Sequence, residues 1–156
     1  MKKILLAYGA LVLIVIILAV AKFNGFNFLP NFKKATAQIN NQTYNLMIAS
    51  DDKSRQVGLS NRKSLGEKDA MLFIFEKKGK YSFWMKDTQI PLDIIYINDT
   101  KIVHIVKNAP PQKGKSGQLP IYTPSTEANY VLEINGGQSD KYKFKNGDTV
   151  TVKGVN

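Results

Sequence analysis

Hydrophobic and polar positions change period twice along the chain. Residues Ile4 to Ala21 (ILLAYGALVLIVIILAVA) are apolar on every face and carry no charge, so a helix built from them has no polar side to show water. At 1.5 Å per residue such a helix measures about 27 Å, close to the hydrocarbon thickness of a bilayer. The expectation is one N-terminal transmembrane helix, residues 1–21, serving as an anchor. Ala19-Val20-Ala21 also has the small-x-small form of a leader cleavage site, so a signal peptide cleaved after Ala21 is the alternative. Residues 22–34 (KFNGFNFLPNFKK) interleave phenylalanine with Asn, Gly and Pro. They suit neither helix nor long strand and read as a juxtamembrane linker.

From residue 35 to 156 the pattern is one of short strands separated by turn residues. Ala37–Ile39, Asn40-Asn41 and Thr43–Ala49 read as a hairpin, since Asn tolerates the left-handed backbone of tight turns. Ser50-Asp51-Asp52 reads as the cap of a short helix ending near Gly58. Further strands are expected at Met71–Phe75, Tyr81–Met85, Ile90–Ile97, Lys101–Val106, Tyr130–Ile134 and Thr149–Val152, with turns at Glu76–Gly79, Asn98-Asp99 and Asn146–Asp148. Leu92–Ile97 is apolar apart from Asp93, as in a strand covered on both sides. The expected fold is mainly β, barrel-like or a sandwich, with one or two short helices. Residues 107–124 form a long loop rich in Pro, Gly and Lys, a length associated with function or motion.

Composition narrows the chemistry. The chain of 156 residues has no cysteine, which excludes disulfides, cysteine nucleophiles and thiolate metal sites. Its formal net charge is +10. Lys2 and Lys3 precede the apolar run and favour an internal N-terminus; Lys22, Lys33 and Lys34 on the other flank oppose it. The short basic leader decides, which puts the domain on the extracytoplasmic side of the cell membrane. Arginine is restricted to Arg55 and Arg62, and the remaining basic residues are lysines. Such a balance suits an anionic partner or is simply a solvated surface. No nucleic-acid-binding signature accompanies it, so nucleic acid is disfavoured.

Several segments carry a resemblance. Arg55-Gln56-Val57-Gly58-Leu59-Ser60-Asn61-Arg62, Ala70-Met71-Leu72-Phe73, Phe83 to Asp93 (FWMKDTQIPLD), and Tyr130-Val131-Leu132-Glu133 with Gly136-Gly137 and Gly147-Asp148 follow one another as do the motifs of domain of unknown function 192. Ser60, Ala70 and Asp87 depart from that family's usual Met, Gly and Asn. The resemblance covers about Ala35 to Val152 and implies a compact β-rich domain, often exported, with no agreed activity.

The candidate site residues are Arg55, Arg62, Trp84, Lys86, Asp93 and Glu133. Trp84 beside polar groups can stack on a sugar ring, or be a core residue at a bend marked by Pro91. Asp93 and Glu133 both stand in apolar runs, where an unpaired carboxylate is costly. Arg55 or Arg62 could pair with either, because guanidinium meets carboxylate bidentately. One picture is a shared cluster of Arg62, Asp93 and Glu133, serving binding, catalysis or structure. His104, the only histidine, has no ligand-like spacing around it; neither a metal site nor a cofactor motif is indicated. The leading expectation is a membrane-tethered, non-catalytic binding module for an envelope glycan, an anionic polymer or an envelope protein. The alternatives are an envelope-polymer hydrolase or lyase using Asp93 and Glu133, and an assembly factor without a ligand site.

Overall fold

The computed structural model describes residues 35–112 and 119–155. The expected anchor, the linker and the centre of the Lys-rich loop lie outside the described residues. No helix among the described residues is long and apolar enough to cross a membrane.

Among the described residues nine strands and two short helices follow one another: β1 (Thr36–Ile39), β2 (Gln42–Ala49), α1 (Asp52–Val57), β3 (Asp69–Gly79), β4 (Phe83–Trp84), β5 (Leu92–Asn98), β6 (Lys101–Ala109), β7 (Ile121–Tyr122), β8 (Ala128–Asn135), α2 (Gln138–Lys141) and β9 (Val150–Lys153). Seven strands form one sheet in the order β6-β5-β8-β3-β2-β1-β9, while β4 and β7 make a separate two-stranded ribbon. The large sheet curls into a half-barrel. Its two edge strands meet at one end, where Lys101 bridges Thr149 and the Val150 amide donates to the Thr100 carbonyl.

Local sequence explains most of these elements. Ile39 pairs with Gln42 across a turn in which Asn40 takes φ +52°, as the Asn-Asn pair predicts. Asp51 caps α1 by accepting from the Ser54 amide at 2.9 Å, while the Ser54 hydroxyl accepts from the Asp51 amide. Gly58 ends the helix with φ +50°, a conformation that costs a side-chain-bearing residue. Strands β2 and β3 are parallel neighbours, so a crossover must join them. Residues 50–68 provide it and lay α1 against one face of the sheet.

Alternation along the strands gives the sheet two buried faces. Ile95, Ile97, Leu132, Ile134 and Leu72 join residues of both edges, Ile102 and Val150, in the core that the curl encloses. Ile94, Tyr96, Val131, Met71 and Phe73 face the other way, toward Leu59, Met85 and Phe83. Strand β5 is buried from Leu92 through Ile97, the two-sided covering expected of its apolar run.

Three details differ from expectation. Glu76–Gly79 is not a free turn but the end of β3, which returns to β8 after a register shift at Gly79–Ala128. The expected strand Tyr81–Met85 shrinks to Phe83–Trp84 and leaves the main sheet for β7. Strand β7 sits in the stretch expected to be loop, where two residues are too few for a visible period.

Candidate functional site

Asp93 and Glu133 stand on the neighbouring strands β5 and β8, but Asp93 pairs with Ile134 and Glu133 with Ile94. Successive strand residues point to opposite faces, so Asp93 belongs to the enclosed face and Glu133 to the outer one. The shared cluster of Arg62, Asp93 and Glu133 is therefore not formed. Arg62 is exposed and enters no ion pair among the described residues. The apolar runs around both carboxylates suggested a cluster, but they do not disclose the one-residue offset in register.

Asp93 is fully buried, and its partners are backbone amides rather than arginine. Its Oδ1 accepts from Asn108 N at 2.7 Å and Gly137 N at 2.9 Å, and its Oδ2 accepts from Ser139 N at 2.6 Å. A bulge in β6 makes this possible. Leu92 pairs with Ala109 and Ile94 with Val106, leaving two β6 residues opposite Asp93. One of them, Asn108, has φ +50° and turns its amide onto the carboxylate. The other two donors belong to the start of α2. Gly136 is needed beside them: a Cβ there would lie 2.6 Å from Asn108 Oδ1 and 2.9 Å from Pro91 Cβ. Asp93 thus ties β5, β6 and α2 together and has no open path to a ligand.

Glu133 has the opposite surroundings. It is 4% exposed, and it makes no hydrogen bond or ion pair within the described residues. It lines a cleft of about 300 Å³ between α1, the outer face of the sheet and the β4 ribbon. Burial pushes its carboxyl up to about 8, so at neutral pH the protonated form predominates. The neighbouring Tyr96 hydroxyl is raised as well, first by burial and then by the charge Glu133 would carry; it donates to the Tyr122 carbonyl at 2.8 Å.

The walls are aromatic. Phe73 and Phe83 meet edge to face at 4.9 Å, and Phe75 stacks on Tyr81 at 3.6 Å. Both Phe73 and Phe75 come from the outer-face positions of β3, and Phe83 from the ribbon. Arg55 closes one side, its guanidinium 5.3 Å over the Phe75 ring. That guanidinium donates to the Ser50 and Ile74 carbonyls at 2.6 and 2.8 Å and to Asp52 at 2.7 Å, so it is held and already paired. At the mouth, Trp84 is 53% exposed, with Lys86 Nζ 5.7 Å from its ring. Alternation explains the exposure: Met85 is the buried residue of this motif, and Trp84 and Lys86 flank it on the solvent side. The reading of Trp84 as a core residue is thus overturned. Thr88 and Ser60 add hydroxyls to the lining.

Four of the six residues singled out in the sequence, Arg55, Trp84, Lys86 and Glu133, line this one cleft; Arg62 and Asp93 do not. Sequence reading missed Phe73, Phe75 and Phe83. The signal for the phenylalanines was present as alternation, since positions 71, 73 and 75 share one strand face. The exposed large apolar residues of the described chain, Val57, Trp84 and Ile121, gather at the mouth. Val57 and Trp84 line it, and Ile121 pairs with Trp84 across the ribbon.

A curled seven-stranded half-barrel with two short helices and an aromatic cleft on its outer face defines a small β-rich domain. The chain belongs to the family described as Uncharacterized ACR, domain of unknown function 192, whose model matches residues 34–152. Among solved structures it is similar to a protein of unknown function from Novosphingobium aromaticivorans DSM 12444, at 29% identity and a TM-score of 0.68 over 76% of this chain and 83% of that one. It is also similar to a protein from Sinorhizobium meliloti 1021 described as a "putative transcription regulator", at 27% identity and a TM-score of 0.68 over 78% of this chain and 94% of that one. No curated protein matches the chain.

Proposed function

We propose that this protein is a non-catalytic binding domain, tethered to the outer side of the cell membrane by residues 4–21, whose cleft takes a ring-bearing unit of an envelope glycan. One observation carries the reading: a carboxyl that is almost wholly buried, and has no protein partner among the described residues, forms part of an open aromatic cleft. A buried polar group without a partner is costly. A ligand that hydrogen-bonds it relieves that cost. The exposed Trp84 at the mouth offers a flat apolar face of the kind that stacks on a sugar ring, and the Thr88 and Ser60 hydroxyls supply further polar contacts. The tether rests on the uncharged run from Ile4 to Ala21 and its length.

Catalysis by an Asp93–Glu133 pair is not supported, since carboxyls on opposite faces of a sheet cannot flank one glycosidic bond. The test is co-sedimentation of the full-length protein, in detergent, with purified insoluble envelope polymer. Retention that falls at least tenfold for Trp84→Ala and is unchanged for Arg62→Ala agrees with the proposal. Absence of retention, or equal loss in both variants, contradicts it.

A further inference from the structure

We infer that the cleft recognises its ligand through an ammonium group seated on Glu133 and enclosed by the aromatic walls. The inference rests on the cleft being a ligand site and adds the chemical class of the group it holds. Two independent features point to a cation. The first is Glu133 itself, 4% exposed and without a protein partner among the described residues. Neither nearby cation reaches it: the Arg55 guanidinium is spent on two carbonyls and Asp52, and Lys86 lies over Trp84 at the mouth. The second is the pair Phe73 and Phe83, which line the same cleft; the Phe75 ring lies under Arg55 and the Trp84 ring under Lys86. Ring faces attract cations, and desolvated aromatic enclosures are a recurrent way of holding ammonium groups.

A hydroxyl would satisfy one hydrogen bond of a neutral carboxyl. An ammonium does more, because it makes the buried charge itself favourable. The formal net charge of +10 does not forbid this, since exposed charges beyond about 8 Å are screened at physiological salt, and Arg55 is locally offset by Asp52.

Proton accounting follows from the same geometry. The Glu133 carboxyl gives up its proton to solvent and the ammonium takes the place opposite the carboxylate; no bond of the ligand changes. The titratable or charged groups around Glu133 are Tyr96 on β5 with His104 beside it on β6, Arg55 on α1, Tyr81, and Lys86 after β4. His104 lies behind the Tyr96 ring at 5.7 Å. His104→Gln serves as its control.

The experiment is a titration of full-length protein with choline, a permanent cation, and with 3,3-dimethylbutan-1-ol, its uncharged isostere, read by the emission of Trp84, the only tryptophan. The inference predicts that choline binds at least tenfold more tightly than the isostere at pH 8. Its affinity should rise about tenfold from pH 6 to 7 in wild type and in His104→Gln, since one proton is displaced per ligand below the Glu133 midpoint. In Glu133→Gln the pH dependence vanishes and the preference shrinks to what the rings alone supply. Equal binding of the two compounds overturns the ammonium assignment and leaves an apolar cleft. Failure of choline with retention of envelope polymer overturns the assignment but keeps the binding domain. Failure of both overturns both.

Discussion

Asp93 and Glu133 lie one register position apart on paired strands, and the pleat sends their carboxyls to opposite faces of the sheet. The two residues share a chemical type and an apolar setting, yet their surroundings give them different work. Asp93 meets three backbone amides and closes a junction between β5, β6 and α2. Glu133 meets no donor among the described residues and opens onto a cleft. A buried carboxylate fully paired with amides stabilises a fold; one left unpaired beside a cavity is a place for something else to bind.

The Asp93 junction predicts a large loss on a minimal change. In Asp93→Asn the amide nitrogen that replaces one oxygen faces a backbone N–H and cannot accept from it. Chemical denaturation should show a loss of about 2–4 kcal/mol, the cost of stranding buried donors and removing a charge-assisted bond. A change below about 0.5 kcal/mol would contradict the assignment.

Glu133 predicts a pH dependence of stability with a definite sign. Its folded-state midpoint, about 8, lies above its ordinary value of 4.5, so the folded state holds the proton more tightly than the unfolded state. Stability therefore falls as pH rises from about 4.5 to about 8, because the unfolded chain gains the ionised form more readily. Glu133→Gln has no proton to lose here and lacks this pH dependence. The stability difference, variant minus wild type, should grow in favour of the variant across that window by on the order of a few kcal/mol. A difference that is flat from pH 5 to 8 would contradict the burial argument.

The two arginines should part company. Arg55 is held by the Ser50 and Ile74 carbonyls and covers the Phe75 ring, so Arg55→Ala should cost about 1–3 kcal/mol in denaturation through lost hydrogen bonds and packing. Arg62 is exposed, and Arg62→Ala should stay within about 0.5 kcal/mol of wild type. Equal effects would show that Arg62 has a partner after all.

Much of the fold was legible in the sequence. The β1–β2 hairpin, the capped helix α1 and the doubly covered β5 follow from local signals: an Asn-Asn turn, an Asp-x-x-Ser cap and an uninterrupted apolar run. What escaped was non-local. Helix α2 has only four residues, and it exists because Asp93, more than forty residues earlier in the chain, receives its first amides. The face on which each carboxyl emerges depends on the β5–β8 register, which no single strand encodes. The cleft was half visible. Trp84, Lys86 and Glu133 stood out as polar or aromatic residues in unusual settings. Phe73 and Phe75 looked like ordinary core residues, because a strand's own pattern does not reveal that one of its faces borders a cavity.

The measurement that bears most directly on the central claim, that the Glu133 cleft is a ligand site, is the emission of Trp84 in full-length protein during titration with soluble fragments of envelope glycan. Trp84 is the only tryptophan and stands at the mouth, so it reports that site alone. The account predicts a saturable shift in wild type and in Arg62→Ala, with affinity at least tenfold weaker in a still-folded Glu133→Gln. A titration that never saturates, or one identical in Glu133→Gln, would contradict it.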